Sequence, residues 1–152
     1  MEMRSITPFA SVVLLATAAM HLSTAVAASA GARVAAGTVK VTIDYKGKGT
    51  VDASHRVWVW LFASPEIGPG SMPIAELSID ANGKMASFEG IVEERVWIAA
   101  AYDEQGTMTG SAPPPPGTPV GLYVGSDGAP RSVVPGDSTA AVLTFDDSFR
   151  MP

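Results

Sequence analysis

The chain reads as all-β: a seven-stranded antiparallel β-sandwich preceded by an N-terminal signal segment. Three observations point there. Apolar residues recur with a period of two in several short runs, and Gly, Pro and Asn-Gly clusters punctuate those runs. No helical period extends through the chain after its first thirty residues. Short strands with turn signals at this spacing are the pattern of a sandwich.

The first thirty residues follow a different rule. Arg4 sits in a short polar start, residues 9–20 form an apolar run, and small residues follow in Ala25-Val26-Ala27 and Ala28-Ser29-Ala30. That order is a secretory signal with two candidate cleavage sites. The apolar core is too short and too diluted by Thr17, His21, Ser23 and Thr24 for a membrane anchor. The expected organisation is therefore a cleaved signal at 1–30 and one domain at 31–152, periplasmic or secreted, with no membrane span after cleavage.

The elements follow in order. Val39, Val41, Ile43 and Tyr45 alternate with Lys40, Thr42 and Asp44, which defines a first strand with one wet face. Residues 56–62 form the second, with Val57, Val59 and Leu61 directed inward. The third is expected over 74–79, and Asn82-Gly83 signals a hairpin into the fourth at 85–88. Residues 95–102 form the fifth, with Val96, Ile98, Ala100 and Tyr102 on one face. Residues 120–124 and 140–145 complete the set. Between them, Pro113-Pro114-Pro115-Pro116-Gly117 lacks backbone donors and marks a long, stiff loop.

Composition narrows the function. The formal charge is −5, and the signal carries Glu2 and Arg4, which cancel, so the processed chain keeps that charge. It offers no basic patch for phosphates, so nucleic acid is not an expected partner. The absence of cysteine excludes disulfides, lipoprotein anchoring and thiolate zinc sites.

Several segments resemble a known pattern. Gly37-Thr38-Val39, residues 45–49, residues 57–65, the run from Val96 through Tyr102 to Asp103, and Leu143-Thr144-Phe145-Asp146-Asp147 are similar to the prealbumin-like domains of bacterial exported proteins. These are grouped with carboxypeptidase regulatory-like and transthyretin-like modules. The resemblance implies a seven-stranded sandwich in a non-catalytic role, as a binding or accessory module. Family members commonly carry an Asp- and Asn-rich calcium-type loop after the strand that ends in Ala-Ala and an aromatic. Here that place holds Asp103-Glu104-Gln105-Gly106-Thr107-Met108, and only Asp103 keeps a suitable ligand. Calcium takes six to eight oxygens, so no metal and no other cofactor is expected.

The candidate binding residues are aromatic. With Val57, Val59 and Leu61 inward, the pleat turns Trp58, Trp60 and Phe62 to the opposite face, and Trp97 falls opposite Val96 and Ile98. Exposed, clustered rings would make a surface for a protein or a glycan. A strand apolar on both faces is also what a doubly covered strand looks like, with the Pro-rich loop as the cover. For catalysis, His55 is the one histidine after the signal and has no recognisable nucleophile motif beside it. No catalytic residue is assigned. Glu93-Glu94 are neighbours on extended chain, so they point apart and do not flank one bond. The expected function is thus an exported non-catalytic binding or accessory module. The alternatives are a carbohydrate-binding module using the aromatic face and, less favoured, a small hydrolase centred on His55. The residues name neither the partner nor the oligomeric state.

Overall fold

The computed structural model describes residues 35–68, 70–136 and 140–152, and the expected signal at 1–30 lies outside them. The described residues contain no helix. They form eight strands: β1 (Gly37–Tyr45), β2 (Val57–Phe62), β3 (Ala75–Ile79), β4 (Met85–Ile91), β5 (Val96–Tyr102), β6 (Val120–Leu122), β7 (Ser132–Val133) and β8 (Ala140–Phe145). Strands β4-β1-β8 make one sheet and β3-β2-β5-β6 the other, with β7 also pairing β5.

The period of two has its physical basis in one shared core. Val39, Val41 and Ile43 of β1, Val57, Val59 and Leu61 of β2, Val96, Ile98 and Ala100 of β5, and Leu143 and Phe145 of β8 are all buried in a single cluster. Both sheets therefore contribute one face to it. Each fully buried Val, Leu or Ile removes enough apolar surface from water to stabilise the fold by about 1.5–3 kcal/mol. β6 crosses close to β8, and a side chain at Gly121 would meet Cβ and Cγ of Phe145. Glycine is what permits that approach.

The structure departs from the sequence expectation in three places. β1 and β8 are parallel, Lys40 opposite Ala140 through Tyr45 opposite Phe145, whereas the other pairings are antiparallel. Alternation determines which face is buried but carries no information about strand direction. Between the first and last strands no tight turn enforces reversal. Second, β7 is a two-residue strand against Val96 and Trp97, too short to show a period. Third, Asn82-Gly83 does not close a hairpin. β3 pairs with β2 and β4 with β1, so the turn carries the chain from one sheet to the other. Turn chemistry dictates a reversal, while the buried faces choose the partners.

Candidate functional site

The register of the five-stranded sheet brings the tryptophans to one face. Trp58 lies opposite Ala101, Trp60 opposite Ala99, and Phe62 opposite Trp97. Leu122 and Val120 of β6 continue the rows of Ala99 and Ala101. The two alanines leave room for the indoles beside them. Trp60, Phe62, Ala99 and Ala101 form a second, smaller buried cluster, against which Trp58, Ile67, Met108, Val120 and Leu122 pack. Trp60 is 5% exposed, while Trp58 and Trp97 are half-buried. Trp58 and Trp60 thus come together in one apolar patch, and Trp97 stands at its far end beside Phe62.

A loop covers the patch, and the covering part is not the proline run. Pro113, Pro115 and Pro116 are exposed, whereas Gly110 is buried against the indoles. Its carbonyl accepts a hydrogen bond from Trp60 Nε1 at 3.0 Å. Gly110 has φ of +84°, and a Cβ there would run into Cζ3 and Cε3 of Trp58. Any other residue would therefore meet both backbone strain and a clash. Asp103, 4% exposed at the end of β5, shapes the start of the loop. Its Oδ1 accepts the amide of Thr107 at 3.1 Å and its Oδ2 that of Met108 at 2.8 Å.

The C-terminal segment ties the two ends of this loop. The Arg150 guanidinium donates to both carboxylate oxygens of Glu104, at 2.9 and 3.1 Å, and to the Gly117 carbonyl at 2.6 Å. The Gly117 amide donates to the Met151 carbonyl and the Met151 amide to Thr118, each at 2.9 Å. Glu104 and Arg150 are 46 residues apart, and no local pattern announces their meeting.

Next to the covered patch lies a cleft of about 340 Å³, walled by the 53–56 turn, Trp58, Asp103 and the 105–108 segment. Asp52 organises the turn: its Oδ1 accepts the amides of Ser54 and His55 at 2.8 Å and lies 3.1 Å from His55 Nδ1. Those two backbone donors, ahead of the imidazole, hold its carboxyl below the usual carboxylate range. Arg56 Nε donates to the Ala53 carbonyl at 3.0 Å. Trp58 Nε1 is buried and has no hydrogen-bond partner among the described residues. Asp52 and His55 pair a carboxylate with an imidazole, and among the described residues no hydroxyl hydrogen-bonds to the ring.

The acidic pair at the end of β8 is engaged away from Asp103. Asp147 accepts the Tyr45 hydroxyl on Oδ1 and the Lys48 amide, at 2.9 Å, on Oδ2. Tyr45 in turn stacks on Tyr102 with ring centroids 4.5 Å apart. Asp146 accepts the Ser148 amide at 2.9 Å. Among the described residues, no three His, Asp or Glu side chains gather as a metal site would require. No family model, curated protein or solved structure matches the chain.

Proposed function

We propose that the protein is an exported, non-catalytic module of the prealbumin-like, transthyretin-like kind that acts by binding a protein or a glycan, with the cleft beside Trp58 as its site. The observation that carries this reading is that Trp58, whose buried Nε1 has no hydrogen-bond partner among the described residues, lines that cleft. A buried donor without an acceptor costs about 1–3 kcal/mol, and a ligand oxygen that reached it through a small shift of the indole would relieve that cost. The all-β, two-sheet architecture supports the module reading. No cofactor forms part of the proposal.

A glycan stacked on an open tryptophan face is less favoured. Trp60 is 5% exposed and its N–H is spent on Gly110, so stacking there requires removing the loop.

The test uses the indole N–H resonances of the purified protein, assigned with Trp58→Phe, against a panel of neutral sugars, sugar acids and short peptides. A saturable shift of the Trp58 signal, with Trp60 unmoved, supports the cleft. A response confined to Trp60 and Trp97 transfers the site to the sheet face, and a silent Trp58 across the panel overturns the proposal. Mass spectrometry of the exported protein checks processing: an intact Met1 refutes signal cleavage.

A further inference from the structure

Asn82 is the one asparagine of the chain, and a glycine follows it. Asn-Gly is the sequence in which the backbone nitrogen of the second residue most readily attacks the side-chain amide of the first, because glycine has no side chain to obstruct ring closure. Here the three groups that take part are all held. Asn82 Oδ1 accepts the Tyr45 amide and Asn82 Nδ2 donates to the Tyr45 carbonyl, both at 2.8 Å. The Gly83 amide donates to the Ile43 carbonyl at 2.8 Å and to Asn82 Oδ1 at 3.1 Å. The side-chain amide thereby acts as one more peptide group in the ladder, fastening the end of β1 to the turn between the sheets.

We infer that Asn82 is a chemical modification site whose deamidation the fold holds back, and whose conversion unfastens β1 from this turn. In the reaction, Gly83 N bonds to Asn82 Cγ and loses its proton, the Cγ–Nδ2 bond breaks, and ammonia leaves. Water then opens the resulting succinimide at either carbonyl, leaving aspartate or isoaspartate. Turning the amide carbon onto Gly83 N requires giving up the paired bonds to Tyr45, and freeing the nitrogen requires giving up Ile43. Aspartate cannot restore the clasp, since an oxygen replaces the donor that faced the Tyr45 carbonyl. Isoaspartate also lengthens the backbone inside the turn. Tyr45 transmits the change, because the same residue bonds Asp147 and stacks on Tyr102.

The experiment incubates the purified protein, native and unfolded in guanidinium chloride, side by side in mildly alkaline buffer, with peptide mapping across residues 82–83. Since three hydrogen bonds must open, the native protein is expected to convert at least about tenfold more slowly, and a native rate within about twofold of the unfolded one overturns the inference. Asn82→Asp, made directly, is expected to lower the urea midpoint. An unchanged midpoint overturns the claim that the side-chain amide fastens β1.

Discussion

Replacing Gly110 by alanine tests whether the 103–119 loop holds the tryptophan face closed. With φ at +84°, an L residue at this position adopts a left-handed conformation, which costs about 1–2 kcal/mol. The new methyl would also overlap the six-membered ring of Trp58, so the loop must lift. Lifting breaks the Trp60 Nε1 bond to the Gly110 carbonyl, a net loss of about 0.5–1.5 kcal/mol. Together these amount to about 1.5–3.5 kcal/mol, and with a mid-range urea m-value of about 2 kcal/mol/M the midpoint falls by about 1–2 M. Acrylamide quenching of tryptophan emission provides a second readout, which should rise in the native state of the variant because Trp58 and Trp60 lose their cover. A variant with an unchanged midpoint and unchanged quenching would refute the account of Gly110 as the residue that seals this face. A lowered midpoint with unchanged quenching would refute the lifting of the loop while leaving the backbone strain intact.

Arg150→Ala removes the bonds that tie Glu104 and Gly117 to the C-terminal segment. Because its side chain is 39% exposed and that of Glu104 42%, global stability should change by no more than about 1 kcal/mol. Hydrogen exchange at the Gly117 and Thr118 amides should nevertheless accelerate, and unchanged exchange there would count against the tie. A third prediction concerns pH. The Tyr45 hydroxyl, then the Lys48 amide, hold the Asp147 carboxyl below its usual range. A depressed folded-state pKa contributes stability that is present above the ordinary value of 3.8 and is lost as pH falls through the folded value. Asp147→Asn should therefore flatten the acid limb of the melting-temperature profile, and an identical limb in both proteins would refute the assignment. At the alkaline end, burial and then the Asp147 hydrogen bond push the Tyr45 hydroxyl up. Its contribution is present below the ordinary value of 10.0 and is lost as pH rises through the folded value. Tyr45→Phe should remove that alkaline dependence.

Much of the strand content was legible in the sequence because burial of one face writes itself into every second residue. β1 is the clearest case: Val39, Val41, Ile43 and Tyr45 are buried as the alternation predicts. β5 was equally legible through Val96, Ile98, Ala100 and Tyr102. The candidate site was less so. Trp58 and Trp60 could be placed on the far face of β2 from the pleat, but whether that face was open depended on Gly110, fifty residues on from Trp60. A proline run looked like the natural cover, yet the cover is formed by Gly110 and Met108, whose side chain and backbone fit against the rings. The organisation of the cleft by Asp52, and the tie from Arg150 to Glu104, left no signal that one sequence can show.

The sequence by itself determined that this is an all-β chain, which residues of β1, β2 and β5 face the core, and that thiol and disulfide chemistry are excluded. Those properties follow from side-chain type and from a periodicity that acts between near neighbours. Only the tertiary structure decided that β8 runs parallel to β1, that the Asn82-Gly83 turn passes between sheets, and that Trp60 is sealed while Trp58 N–H finds no partner among the described residues. Each of these depends on which distant segments share a surface, and that choice is made by the packing of the whole core.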